Sequence, residues 1–320
     1  MRIKDVLIET DLMLGPMAGV TDGAFRKICR EFGLEMSFTE MVSAKGLVYG
    51  DKGSLELLSI ADEEHPVGVQ IFGSDPEFME KAARLLQERI QFEILDINMG
   101  CPTPKIVKNG DGSKLMTDLE RAQKIVDRVA KVSKKPVTVK MRTGWDETTD
   151  YLGFARGMES AGARMLTVHG RTRNQMYSGK ADWTKIKAIK DTLKIPVVGN
   201  GDIFCLEDAI EKKKFSGVDG LMIARGAQGN PWLIREIITY FKTGEVLAPP
   251  TPKEIYEVIM RHFDLIVREK GEYRGMVEMR KHIGWYVKGM KHASSVRNEI
   301  NRASNFQEMH RALVQILDID

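Results

Sequence analysis

The chain has 320 residues, 42 % of them apolar and 29 % charged, and its 48 basic and 45 acidic residues give a net charge of +3. This composition excludes a disordered chain, and so small a basic excess does not by itself announce a nucleic-acid binder. Three widely spaced cysteines (Cys29, Cys101, Cys205) argue against a disulfide framework or a multi-cysteine zinc site; the N-terminal MRIKDVLIETD has no apolar signal core, and no apolar run of about 18 residues occurs, so a reducing cytoplasm is the expected compartment.

Eight short apolar runs follow in order, each ending in a glycine or polar turn: 12–15, 36–41, 67–72, 93–98, 137–141, 165–169, 197–200 and 220–224. Most are continuously hydrophobic, as strands buried on both faces of a parallel sheet are. Helical patterns separate them. Asp75-Pro76-Glu77 supplies a cap and a first-turn proline, and Phe78, Ala82, Leu85 and Leu86 then fall on one face. Residues 117–132, 182–193 and 206–213 are similar, whereas Gly46, Gly50 and Gly53 interrupt any helical period over 43–60. Eight strand–helix units predict a (β/α)₈ barrel over 1–245. Three prolines in 246–252 read as a linker, and 253–320 reads as a small all-helical domain.

In such a barrel the chemistry lies at the C-terminal ends of the strands. Those positions hold Pro16, Met17 and Ala18 after the first strand, Gln70 in the third, Asn98 and Cys101 at the fourth, and Lys140 and Arg142 in the fifth. The sixth ends in His169 and Arg171, the seventh in Asn200, Gly201 and Asp202, the eighth in Ala224 and Arg225. Turns after the last two strands commonly bind phosphate through backbone N–H groups, and Gly199–Asp202 with Arg225-Gly226 suit that use. A flavin ring needs hydrogen-bond donors along one edge and a cation near N1, for which Gln70 and Lys140 are suitable. A lysine inside a parallel strand is costly unless it is paired or meets a ligand. Cys29, in a helical stretch, reads as a small buried hydrophobe, and Cys205 as structural. Cys101, between Gly100 and Pro102 at the mouth, can serve as a general acid.

The near-neutral total hides an uneven distribution. Residues 280–302 carry Arg280, Lys281, Lys288, Lys291, Arg297 and Arg302 against the single acid Glu299, an excess larger than that of the whole chain. His282, Trp285, Tyr286 and His292 lie among them, a composition suited to phosphate contacts and stacking.

The segments 15–20, Asn98-Met-Gly-Cys-Pro102, 168–173 with Tyr177-Ser-Gly-Lys-Ala-Asp-Trp183, 200–203 and 225–232 resemble the flavin-dependent tRNA-dihydrouridine synthases. Lys105-Ile-Val-Lys-Asn-Gly-Asp-Gly-Ser113 is most similar to the bacterial B-type subfamily. The resemblance implies an FMN-binding barrel followed by a helical tRNA-binding domain. It implies that NADPH, or NADH in its place, reduces FMN, and that hydride then passes to C6 of a uracil in tRNA and a proton from Cys101 to C5. It implies FMN contacts at Pro16, Met17, Ala18, Gln70, Lys140, His169, Asn200, Gly201, Asp202, Ala224 and Arg225. It further implies substrate contacts at Asn98, Arg142 and Arg171, and tRNA contacts at Lys105, Lys108, Arg280, Lys281, Lys288, Lys291 and Arg297. Many relatives have glycine in place of Ala224. No membrane and no obligate protein partner are implied. Two alternatives are an FMN oxidoreductase of a small pyrimidine, resembling dihydroorotate dehydrogenase, and a non-catalytic RNA-binding barrel.

Overall fold

The computed structural model describes residues 1–291, 293–303 and 305–319, with the backbone alone at Ser294 and Val296. His292 therefore lies outside the described residues. The chain forms two units, one of residues 1–22 and 34–224 and the other of 23–33 and 225–320.

In the first unit all eight apolar runs are strands: β1 Leu12–Leu14, β2 Met36–Phe38, β3 Val67–Phe72, β4 Ile94–Met99, β5 Val137–Arg142, β6 Leu166–His169, β7 Val197–Asn200 and β8 Gly220–Ile223. Each pairs in parallel with the next, and β8 returns to β1 through Met13↔Met222 and Leu14↔Ile223, so the sheet closes into the barrel of a (β/α)₈ fold. A short antiparallel pair, Arg2–Ile3 with Val6–Leu7, shares a core with the inward methionines Met13, Met36, Met165 and Met222. Gly68 on β3 allows close packing, since a Cβ there would lie 2.4 Å from the Phe38 ring.

Aspartates set the start of the intervening helices. Asp75, Asp118, Asp150 and Asp182 each accept backbone N–H groups at the first turn of Pro76–Arg89, Leu119–Val132, Tyr151–Ser160 and Trp183–Thr192. The glycine-broken stretch after β2 becomes two single-turn helices, Ala44–Val48 and Lys52–Glu56, capped by Ser43 and Asp51. Gly50 between them has φ +70°, which ends one helix before the next begins.

The second unit is helical: α1 Gly23–Glu31, α2 Trp232–Thr243, α3 Pro252–Lys270, α4 Glu272–Tyr286, α5 Ala293–Arg302 and α6 Phe306–Leu317. Packing thus groups the helix after β1 and the helix after β8 with the C-terminal helices. Pro252 occupies the first turn of α3, behind a capping box in which Thr251 and Glu254 bond reciprocally. Ile259, Ile266, Met279, Ile283, Ile300, Met309 and Leu313 make its core. His262 and His282 are buried there with ring centroids 4.5 Å apart. Burial, with His262, Lys281 and Lys270 adding to it, holds His282 well below the usual imidazole range. Cys29 is fully buried on α1, and desolvation pushes its thiol far up, so it is an inert core residue. Among the described residues no helix is long and apolar enough to cross a membrane.

Candidate active site

Strand register brings the site together. Side chains two apart on a strand share a face, so Asp96 and Asn98 on β4 point the same way, as do Thr138, Lys140 and Arg142 on β5. Register aligns Gln70 with Asp96, Asp96 with Thr138, Asn98 with Lys140, and Arg142 with His169. Barrel interiors are ordinarily filled by branched apolar residues, so a polar layer here is a departure that calls for a use.

The layer is hydrogen-bonded throughout. Gln70 Nε2 donates to Asp96 Oδ2 at 2.6 Å, and Thr138 Oγ1 donates to Asp96 Oδ1 at 2.5 Å. Asn98 Nδ2 donates to Gln70 Oε1 at 2.8 Å, while Asn98 Oδ1 accepts from the backbone N–H of Gly100 and Cys101 at 3.1 and 2.9 Å. Asn200 Oδ1 accepts one N–H of the Lys140 ammonium at 3.3 Å, and Asn200 Nδ2 donates to Met222 O. Burial raises the Asp96 carboxyl to about 6, against the pull of Gln70, Thr138 and Lys140. Desolvation lowers Lys140 to about 8, helped by Arg142 and opposed by Asp96 and Cys101.

Cys101 sits in a loop tied at both sides. Asn98 holds its N–H, and its carbonyl accepts from Ser113 N at 3.0 Å and Ser113 Oγ at 2.9 Å. Gly112 is confined against that carbonyl, where a Cβ would come within 2.8 Å. The thiol is half-buried and donates to Thr103 Oγ1 at 3.3 Å. Lys105 and Lys108 follow on the short helix Pro104–Lys108 and are exposed.

Both arginines at the mouth grip loops. Arg142 donates to Gly100 O, Thr172 O and Met176 O at 2.7–2.8 Å, which ties the Cys101 loop to the loop after β6. Arg171 makes a two-pronged pair with Asp202, both contacts at 2.8 Å, and donates to Gly179 O and Ser178 O. Asp202 follows Gly201 with φ +51° after +131°, a turn that glycine permits and that Trp183 Nε1 braces through Gly201 O. His169 Nε2 lies 3.4 Å from Arg171. After β1, Met17 O accepts from Val20 and Thr21 N–H, fixing the turn that carries Pro16, Met17 and exposed Ala18. Ala224 ends the first unit just beyond β8; Arg225 opens a turn of 3₁₀ helix in the second.

Several participants are absent from the sequence reading. Asp96 and Thr138 complete the polar layer, and Glu40 accepts from Gly19 N–H beside the first turn. Trp145, beyond β5, has Lys114 and Arg173 each 4.7 Å from its ring centre. Asp96 had a usable signal: it is an acid in an otherwise apolar run, two residues before Asn98 and hence on its face. Trp145 had none, because loops carry no periodicity.

A half-buried cation, a row of oriented amides, a turn with positive φ after β7 and a thiol on a braced loop suit a bound phosphorylated flavin more than any purely apolar ligand. The dihydrouridine synthase family model matches residues 13–319. A tRNA-dihydrouridine synthase B of Shewanella oneidensis is 43 % identical over 288 residues, 90 % of this chain and 89 % of that protein. The corresponding protein of Pseudomonas aeruginosa is 40 % identical over 94 % of this chain and 91 % of its own. A probable tRNA-dihydrouridine synthase of Rickettsia conorii is 40 % identical over 302 residues. Among solved structures, histamine dehydrogenase from Rhizobium sp. 4-9 superposes with a TM-score of 0.58 at 12 % identity, over 83 % of this chain. The chain spans half the length of that structure, and the likeness is one of fold.

Proposed function

Because this chain belongs to the dihydrouridine synthase family, we propose that it is a tRNA-dihydrouridine synthase of the B type, reducing the C5=C6 bond of specific tRNA uridines. The observation that carries the reading is the continuous hydrogen-bond chain from Gln70 through Asn98 to the Cys101 backbone, with Lys140 beside it. It joins the residues suited to a flavin to the residue suited to protonate the substrate.

Bound FMN supplies the two-electron chemistry, carrying an electron pair from NADPH to the uracil. Gln70, Lys140, His169 and Asn200 would hold its ring, and the backbone of Gly201 and Asp202, with Ala224 and Arg225, its phosphate. Pro16, Met17 and Ala18 would border the ring from the turn after β1. Lys140 offers a cation where the reduced ring gathers negative charge. Reduction at C6 builds enolate charge toward O4, and the Cys101 thiol completes the reaction by giving its proton to C5. The thiolate left behind regains a proton from solvent. Asn98 has two roles in this account: it braces the loop and it lies beside the uracil. Arg142 and Arg171 act by holding the loops that frame the base. The uracil must leave its stack to enter, so the RNA needs a grip beyond the base itself, for which Lys105 and Lys108, just after the Cys101 loop, and the basic segment 280–302 are suited. A tRNA substrate suits a cytoplasmic enzyme, and the proposed electron donor is NADPH, or NADH in its place.

The test is reconstitution. The purified protein should bind FMN with a flavin absorption band, and affinity should fall as pH rises through about 8, where Lys140 loses its proton. Protein that takes up no FMN under any condition removes this reading.

A further inference from the structure

The polar layer inside the barrel contains one charged group that the chemistry above does not use. Asp96 is 1 % exposed and lies in register between Gln70 and Thr138. A carboxylate only accepts hydrogen bonds, whereas a carboxamide has one accepting end and one donating end. An ionised Asp96 therefore admits one orientation of Gln70, nitrogen toward the carboxylate and oxygen toward Asn98 Nδ2. Asn98 is then oriented in turn, with its oxygen on the N–H groups of Gly100 and Cys101. Reversing Gln70 would place two donors face to face, or turn Asn98 and release the Cys101 loop. The same carboxylate acts on Lys140, the register partner of Asn98. Of the other charged or titratable groups near that ammonium, Arg142 on β5 opposes its charge and Cys101 supports it; His169 on β6 lies in register with Arg142.

We infer that Asp96 is a positioning residue: its negative charge sets the direction of the Gln70–Asn98 amide chain and sustains the cation at Lys140. A merely structural strand tie would need the hydrogen bonds but not the charge. Asp96→Asn separates the two, because asparagine keeps the volume, removes the charge and allows either amide direction. Thr138→Val is the control, since it takes one donor from Asp96 and leaves the carboxylate ionised at alkaline pH.

The inference rests on the flavin reading for one measurement and is independent of it for another. In FMN titrations, Asp96→Asn should move the alkaline loss of affinity about one pH unit lower, so that binding weakens about fivefold at about pH 8 and approaches about tenfold above it. Thr138→Val should leave that limb in place. Equal weakening by both variants at every pH, with no displacement of the limb, overturns the proposal. The second measurement needs no flavin and no substitution. The Lys140 ε-carbon NMR signal of the unsubstituted protein should show its main inflection near pH 8 and a smaller one where Asp96 titrates, near 6. A single alkaline inflection overturns the proposal even if FMN binds, whereas absent FMN binding with both inflections present removes the flavin reading and keeps Asp96 in its role.

Discussion

The barrel mouth and the C-terminal helices use charge in opposite ways. In the barrel and at its mouth Asp96, Arg142 and Arg171 are buried and each is bonded to named atoms, so a place on a strand, or just beyond one, decides what each does. In the basic segment of the helical unit the residues divide. Arg280 donates to Ala303 O at 2.8 Å, Lys281 lies 3.7 Å from Glu278 and Arg297 donates to Ala293 O at 3.1 Å, whereas Lys288, Lys291 and Arg302 are exposed. A strand fixes direction by period two, so residue type and place together reveal chemistry. A run of like charges on helices mixes ties with solvated groups, and composition cannot sort them.

The contrast can be broken first at Cys101. Cys101→Ala should keep FMN and NADPH oxidation yet lower dihydrouridine formation by about 10²–10⁴-fold, measured by mass spectrometry of tRNA nucleosides. Unchanged yield would take the proton donor elsewhere. Arg171→Met leaves the Asp202 carboxylate without its two-pronged partner, and urea unfolding should report a loss of about 3–5 kcal/mol. A loss below about 1 kcal/mol would mean that the pair behaves as a surface ion pair.

A third test lies in the helical core. His282 is buried neutral with its imidazole held down, so the folded unit binds fewer protons than the unfolded chain below pH 6.5. Stability should therefore fall as pH drops below that value, by up to about 1.4 kcal/mol per pH unit, and His282→Gln should flatten that slope. An unchanged slope in the variant would place the acid sensitivity elsewhere. The smallest effect is expected at the solvated charges. Lys288→Glu with Lys291→Glu should weaken tRNA binding and reduce the dependence of log K on log salt by about one to two. Arg280→Ala, by contrast, should register in thermal unfolding more than in the salt slope, and the reverse pattern would undo the division drawn between ties and solvated groups.

All eight strands were legible in the sequence because buried parallel strands are continuous apolar runs closed by turn residues, and that signal is local. The site was legible in its parts. Gln70, Asn98, Cys101, Lys140 and Asn200 stand out as polar residues at strand ends, and the structure joins them through hydrogen bonds and register. What the sequence did not disclose is pairing across distance: Arg171 with Asp202, Arg142 with the Gly100 carbonyl, and Lys114 and Arg173 about Trp145. Such partners are set by the pairing of neighbouring strands, which brings together residues about thirty to forty apart in the chain. The glycine-rich stretch after β2 was obscure for a different reason. Its two helices are single turns, too short to show a period, and they exist because Ser43 and Asp51 cap them.

Reduction of uridines in RNA is the chemistry assigned to the mouth of this barrel. The most direct measurement incubates the FMN-loaded protein and NADPH with tRNA from cells lacking it, and maps every uridine by nucleotide-resolved mass spectrometry. The account predicts a two-hydrogen mass gain at particular uridines, dependent on FMN, NADPH and the Cys101 thiol. Full NADPH turnover on a free pyrimidine, with every tRNA uridine unaltered, would contradict it.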